Sequence, residues 1–138
     1  MTIATNLNQK VGSAGTVFKA ALIGGGLAAV INLVIYFIFS ALGASFVVAG
    51  APNNPSAIAA IFASIIPALG AAVLLLILGK IASNSAVKIF TGVAVVFLLF
   101  SFGGILGSQD TATLIALGLM HIIAGVAIIG SLVRNGTV

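Results

Sequence analysis

Long apolar stretches without charges dominate the chain, and segments that carry charges or are rich in turn residues separate them. Four such stretches occur, at residues 20–42, 57–79, 89–106 and 112–133. Each has the length, about 20 residues, at which an α-helix crosses roughly 30 Å of hydrocarbon. Membrane-spanning β-strands would be about half as long and would alternate apolar with polar residues. The pattern therefore predicts an all-α fold, a transmembrane four-helix bundle, with the whole chain (1–138) forming one membrane domain.

The composition excludes several classes of protein. Hydrophobic residues make up 62% of the chain and charged residues only 4%, whereas a soluble domain carries about 25% charged residues. This excludes a soluble enzyme, a nucleic-acid-binding module and a disordered tail. The net charge of +4 comes from scattered cations, which form no basic patch. Because the chain has no Cys, it can form no disulfide and no thiolate metal site.

The charges are distributed asymmetrically about the four predicted spans. With four crossings, all the cations fall on one side of the membrane and the only acidic residue, Asp110, falls on the other. The positive-inside rule assigns the cationic side to the cytoplasm. We therefore expect a multi-pass protein of the bacterial inner membrane, or of an internal photosynthetic membrane, with both termini cytoplasmic. The cations are Lys10, Lys19, Lys80, Lys88 and Arg134.

The N-terminal residues 1–15 are mostly polar, and we expect this segment to be frayed or to lie along the cytoplasmic surface. A cleavable signal peptide is the competing interpretation of this end. Signal peptides have an apolar region of about 7–15 residues, and the first apolar stretch here is longer, so we expect no cleavage.

The end of the third predicted helix is loosened by three glycines, although membrane helices tolerate glycine. They are Gly103, Gly104 and Gly107.

Polar and helix-breaking residues occur near the centres of three spans. Asn32 lies in the first span, Ser64 and Pro67 lie in the second, and His121 lies in the fourth. A polar group without a partner is costly in hydrocarbon, so we expect these residues to face protein or enclosed water. Tyr36 follows Asn32 by one helical turn. These five residues are the candidate midplane packing or ligand pocket.

Small and polar residues recur at helical spacing around these positions. Such stripes allow helix backbones to approach closely, and their polar members can bond between helices. The spacing predicts a buried contact built around Asn32, Tyr36, Ser64 and His121. The stripes are Gly25, Ala29, Asn32, Tyr36 and Ser40 in the first span, Ala60, Ser64, Pro67 and Ala71 in the second, and Gly118, His121 and Gly125 in the fourth.

Each candidate has a structural interpretation beside the functional one. For Asn32, a hydrogen bond that fixes helix packing is favoured over a ligand contact. For Pro67, a kink in which Ser64 helps to satisfy freed carbonyls is favoured over a gating hinge. Tyr36 is either an interfacial anchor or an inward hydrogen-bonding group. His121 is either a neutral histidine bonded to another helix or a functional group.

Two runs carry a family resemblance. Asn32-Leu33-Val34-Ile35-Tyr36 lies in the first span, and Asp110-Thr111-Ala112-Thr113 is followed by Leu119-Met120-His121 and Ala124-Gly125 in the fourth. Together they resemble a family of small bacterial four-helix integral membrane proteins that is catalogued only as a domain of unknown function. The resemblance covers nearly the whole chain. It implies the topology and the choice of residues, and no activity.

Three functional hypotheses follow. The first is an accessory, structural or self-associating membrane component, which would be a homo-oligomer or a subunit of a larger complex in the bilayer. The second is a binding module for a lipid, quinone or pigment around His121. The third is a small oligomeric transporter or channel, although its spans lack the carboxylates that coupled carriers use. No enzyme, metal site or resident cofactor is predicted, because no catalytic set of side chains can be assembled.

Overall fold

The structure is a computed structural model that describes residues 9–51 and 53–138. In this part of the chain, four helical stretches are long and apolar enough to cross a membrane. The prediction of an all-α four-helix bundle is confirmed. Helix α1 comprises Ala14–Ala41, α2 comprises Ala57–Ile81, α3 comprises Ala86–Ser101, and α4 comprises Thr111–Asn135, while a 3₁₀ helix, Phe102–Gly107, continues α3.

The helices alternate in direction, and α1 forms the most extensive contacts, with α2 on one side and α4 on the other. Helix α3 contacts α2 and α4 less extensively. We call the end of the bundle that carries residues 42–51, 53–56 and 108–110 the loop end. The opposite end, with residues 10–12, 82–85 and 136–138, is the terminal end. All five cations lie toward the terminal end and Asp110 lies at the loop end, as the sequence predicts.

A side-chain cap marks the start of α1. Ser13 Oγ accepts a hydrogen bond from the Thr16 backbone N–H at 3.3 Å, so α1 starts at Ala14. The helix begins six residues before the predicted span at residue 20 and includes Lys19, a long cationic side chain that can extend toward the interface near a helix end. The longer α1 has its midpoint near Leu27 and Ala28. Asn32 therefore lies about one turn closer to the loop end than the midpoint.

The ends of the described chain pair with each other. Gly12 N donates to Gly136 O at 2.9 Å, and Val138 N donates to Lys10 O at 2.9 Å. Of the two alternatives for the N-terminal segment, fraying does not apply to residues 10–12, because backbone groups there pair with the last residues of the chain. The polar residues Thr2, Asn6 and Asn8 lie outside the described residues. Gly79 of α2 approaches Val11 so closely that a Cβ on this glycine would lie 2.9 Å from the Val11 Cβ.

The buried side chains form two groups. One group lies toward the terminal end and includes Leu75, Phe90 and Leu132, which are 0% exposed. The other lies toward the loop end and includes Phe46 and Met120. The third span changes from α-helix to 3₁₀ helix at Phe102, just before the adjacent Gly103 and Gly104, since glycine weakens the continuation of an α-helix.

Candidate functional site

A hydrogen bond between Asn32 and Ser64 joins α1 to α2. Asn32 Nδ2 donates to Ser64 Oγ at 3.1 Å, and Ser64 Oγ donates to the Ala60 carbonyl at 2.9 Å. Asn32 is 4% exposed and Ser64 is 0% exposed. In the described part of the chain, the buried Asn32 Oδ1 has no hydrogen-bond partner. The arrangement is an interhelical packing bond with one unpaired acceptor.

Two adjacent glycines bring α1 against both of its neighbours. A Cβ on Gly24 would lie 2.7 Å from the Ala127 carbonyl oxygen of α4 and 2.8 Å from the Ser131 Cβ. A Cβ on Gly25 would lie 2.8 Å from the Ala68 Cβ of α2. One turn before Gly24 on α1, the Ala20 carbonyl oxygen accepts a hydrogen bond from Ser131 Oγ at 2.7 Å. The absence of a side chain at Gly24 therefore sets the close approach of α1 to α4, and its absence at Gly25 sets the α1–α2 spacing that the Asn32–Ser64 bond requires.

Tyr36 lies apart from this pair, in the buried group at the loop end. Its ring packs on Phe46, with centroids 4.5 Å apart and an interplanar angle of 36°. Phe46 is 2% exposed and has a φ of 51°, which is uncommon for a residue with a side chain. Its backbone N–H donates to Thr113 Oγ1 at 2.9 Å, and this bond helps to hold the turn. The Tyr36 ring thus helps to seal the loop onto the bundle.

An Asp110-centred network fastens the same loop to the start of α4. Asp110 Oδ1 accepts from Thr113 N at 2.7 Å, and Oδ2 accepts from Thr113 Oγ1 at 2.7 Å. Ser45 donates to Oδ2 through both its hydroxyl and its backbone N–H. Sequence reasoning placed Asp110 at the helix start and missed Ser45 and Phe46. The spacing Asp110-x-x-Thr113, an N-cap followed by a polar third residue, was the available signal for the cap.

The network also affects the charge of Asp110, which lies outside the membrane-spanning segments. The Ser45 hydroxyl, then the Thr113 backbone N–H and the Thr113 hydroxyl, donate hydrogen bonds that hold the pKa of the Asp110 carboxyl well below its ordinary value. The group is therefore a carboxylate at neutral pH. Its negative charge at the first turn of α4 also interacts favourably with the helix dipole.

His121 bonds within its own helix. Its Nδ1 lies 2.8 Å from the Leu117 carbonyl oxygen, one turn earlier. A carbonyl oxygen can only accept, so Nδ1 carries the proton of this hydrogen bond. Nε2 makes no hydrogen bond in the described residues. The ring lies beside Phe102, with centroids 5.7 Å apart, and it contacts the 3₁₀ helix instead of joining the Asn32–Ser64 pair.

Pro67 is exposed and does not lie on the face of α2 that packs against α1. The buried residues of that face recur every four positions, at Ala60, Ser64, Ala68 and Ala72. A residue three positions after Ser64 lies about 60° short of a full helical turn, whereas a residue four positions after it lies about 40° beyond a full turn. Of the predicted stripe, Ala60 and Ser64 are buried, Ala71 packs against the buried group, and Pro67 is exposed. Helix α2 nevertheless continues unbroken through Pro67.

Along one row of α2 and one row of α3, the side chains toward the terminal end are buried and those nearer the loop end are exposed. Phe90 and Phe97 are seven residues apart, about 20° from each other around α3, yet Phe90 is 0% exposed and Phe97 is 71% exposed. On α2, Leu78 and Ala71 pack in the buried group while Pro67, in the same row, is exposed.

The chemistry available in the described residues is limited. They contain no group of three His, Cys, Asp or Glu side chains that could hold a metal ion. Asp110 and His121 are separated by 11 positions on α4, about 16 Å along the axis. The five predicted site residues therefore divide into a buried bonded pair (Asn32 and Ser64), a loop contact (Tyr36), an exposed proline (Pro67) and a partly exposed histidine (His121).

These features define a small helical protein with four helical stretches that are long and apolar enough to span a membrane. Residues 12–137 match the family described as Family of unknown function (DUF6069). The chain belongs to this family, and the family resemblance noted in the sequence is confirmed. No curated protein and no solved structure matches the chain.

Proposed function

We propose that the chain is a non-catalytic component of a membrane that self-associates through α3, as a homo-oligomer or as part of a larger complex. The observation that carries the proposal is the sparse packing of this span. In the most apolar 18 residues of α3 and its 3₁₀ extension, 11% of the residues are buried, against 28% in the corresponding 18 residues of each of the other three spans. Lipid tails provide no hydrophobic drive between helices, so a span is held in place by packing and polar contacts.

The outward face of α3 has a shape that suits a second helix. Gly92, Val96 and Phe100 follow one another at intervals of four, and Val96 and Phe100 are 51% and 79% exposed. A Cβ on Gly92 would meet no atom within 4 Å, so this glycine has no packing role within the protomer. Small residues on such a face allow two backbones to approach closely.

The reactive groups of the chain support a non-catalytic role. There is one His, one Tyr and a single acidic residue, and Asp110 is already bound by Ser45 and Thr113. A transporter or channel has less support, because the one predicted helix break, Pro67, leaves α2 continuous. Enzymes and carriers generally need several convergent polar groups.

We further propose that the terminal end faces the cytoplasm of a bacterial inner membrane, or the corresponding side of an internal photosynthetic membrane. The support is the distribution of the five cations, which all lie toward that end, while Asp110 lies at the other. Positively charged residues are retained on the cytoplasmic side during insertion.

A tryptophan on the outward face of α3 is expected to reduce self-association. In lipid nanodiscs or vesicles, Val96→Trp should weaken the dimer about tenfold, a change that corresponds to the loss of a modest part of a helix interface, because the indole prevents close approach at Gly92. Val126→Trp on α4 is the matched control, since Val126 is also exposed, at 67%. Single-molecule photobleaching across a series of protein-to-lipid ratios measures the oligomer fraction.

Two outcomes would contradict the proposal. One is a native chain that stays monomeric at every protein-to-lipid ratio and copurifies with no membrane protein. The other is an equal effect of the two tryptophans, which would assign association to general crowding and not to α3.

A further inference from the structure

A groove lies along the contact between α1 and α4 at the terminal end, and we call it the terminal groove. Its volume is about 340 Å³, within the range of roughly 300–1,000 Å³ that small-molecule sites occupy. One lining residue, Ala20, accepts the hydrogen bond from Ser131 of α4, so the groove follows a contact between two helices and not the surface of one. It is lined by Thr16, Lys19, Ala20 and Ile23 of α1 and by Asn135 of α4.

The terminal groove is polar at one end and apolar at the other. Thr16, Lys19 and Asn135 lie toward the terminal end, whereas Ile23 lies one turn deeper than Lys19, about 6 Å along α1. Ile23 is 49% exposed. A lysine five residues inside a membrane-spanning helix can extend its ammonium group toward water while its methylene groups stay in an apolar environment. The groove therefore crosses from the bilayer surface into the hydrocarbon region.

An open strip of α4 continues the groove toward the midplane. Gly25 of α1 contacts α2, and Ile23 lies about 160° around the helix from it. Gly125 of α4 contacts α3, and Gly130 lies about 140° around the helix from it. Ile23 and Gly130 thus share the outer side of the α1–α4 contact. A Cβ on Gly130 would meet no atom within 4 Å, so this strip has room for an alkyl chain.

Two cations stand at the polar end of the groove. Lys19 lines it, and Arg134 lies about 180° around α4 from Gly125, on the same outer side as Gly130 and one turn nearer the terminal end. Both side chains are exposed. The only acidic side chain of the chain, Asp110, lies at the loop end, so it neutralises neither cation. Basic pockets between membrane helices suit anionic lipid headgroups, and a guanidinium group matches phosphate geometry.

We propose that the terminal groove binds an anionic glycerophospholipid. Lys19 and Arg134 donate hydrogen bonds to the headgroup phosphate, and one acyl chain runs past Ile23 and Gly130. A zwitterionic lipid binds more weakly, because its own cationic group is repelled by the two side chains. The proposal requires that the terminal end lies at the bilayer surface, and it is independent of self-association through α3.

The charge of the site is tested with the protein in detergent micelles, titrated with dioleoyl phosphatidylglycerol or dioleoyl phosphatidylcholine. Native mass spectrometry measures the fraction of chains that hold one lipid. Phosphatidylglycerol should saturate at the lower concentration, and Lys19→Gln should raise its half-saturation concentration about fivefold, the usual contribution of one basic residue at a membrane surface. Lys88→Gln on α3 is the matched control, because Lys88 is also an exposed cation at the terminal end. Glycerol 3-phosphate should not displace the lipid, because it has no acyl chain.

A leucine in the open strip tests the acyl-chain part of the site. Gly130→Leu should raise the half-saturation concentration of phosphatidylglycerol about three- to tenfold, since the new side chain occupies the space of several methylene groups. Gly70→Leu is the control, because a Cβ on Gly70 of α2 would also meet no atom within 4 Å. Equal binding of the two lipids, equal effects of the two glutamine variants, equal effects of the two leucine variants, or displacement by glycerol 3-phosphate would each overturn the proposal.

Discussion

Alanine at Gly24 or Gly25 is expected to destabilise the bundle by about 1–3 kcal/mol, the usual result of overpacking a tight contact. The added methyl group at Gly24 would meet the Ala127 carbonyl oxygen at 2.7 Å and the Ile128 Cα at 3.0 Å. These are backbone atoms of α4, so no side-chain rotation can relieve the contact. At Gly25 the methyl group would push α2 away and lengthen the Asn32–Ser64 bond.

Gly26 is a matched control on the same helical turn. A Cβ at Gly26 would meet no atom within 4 Å, so Gly26→Ala should leave stability unchanged or raise it by up to about 1 kcal/mol through helix propensity. Unfolding in mixed micelles titrated with sodium dodecyl sulfate measures all three variants. Equal stability of the Gly24, Gly25 and Gly26 variants would show that α1 does not contact its neighbours as described.

Removal of the Ser64 hydroxyl is expected to cost about 1–3 kcal/mol, because it leaves the buried Asn32 side chain with no partner for Nδ2 as well as none for Oδ1. In an Asn32→Ala background the same Ser64→Ala change should cost much less. Ser64 then loses only its bond to the Ala60 carbonyl oxygen of its own helix. The double-mutant coupling should therefore be at least the roughly 0.6 kcal/mol that is average for membrane helices.

The same unfolding assay measures this cycle. Ser40→Ala is the control, because Ser40 is exposed on α1, and it should combine additively with Asn32→Ala. Additive effects of Ser64→Ala and Asn32→Ala would contradict the interhelical bond. A Ser64→Ala variant as stable as the native chain would show that water replaces the hydroxyl at this position.

How well the sequence predicted each feature depends on how far apart in the chain the interacting residues lie. The four spans depend on local hydropathy, and the Asn32–Ser64 interpretation depends on the cost of unpaired polar groups in hydrocarbon, so both could be derived residue by residue. The start of α1 depends on the cap at Ser13. This cap is a local signal, but the charge of Lys19 is a stronger feature of the sequence and drew the predicted boundary of the span. We expected Pro67 to face protein, and it is exposed. Small residues occur all around α2, so composition alone could not decide whether the buried positions recur every three or every four residues.

The loop contacts could not be derived in the same way. Phe46 adopts its positive φ where Thr113, 67 residues later in the chain, accepts its backbone N–H. Ser45 reaches Asp110 across a similar separation. The direction in which His121 points was also undetermined, because its partner is a backbone carbonyl of its own helix and any helical residue has such a carbonyl one turn earlier.

The central claim is that α1 to α4 cross a lipid bilayer, and single-cysteine labelling tests it most directly, since the native chain has no Cys. Cysteine replaces Asn54 at the loop end, Ser85 at the terminal end and Val126 within α4, one variant at a time; all three positions are exposed. A membrane-impermeant maleimide should reach positions 54 and 85 from opposite sides of sealed vesicles, and it should reach position 126 from neither side. Labelling of positions 54 and 85 from one side, or of position 126 in intact vesicles, would contradict the transmembrane bundle.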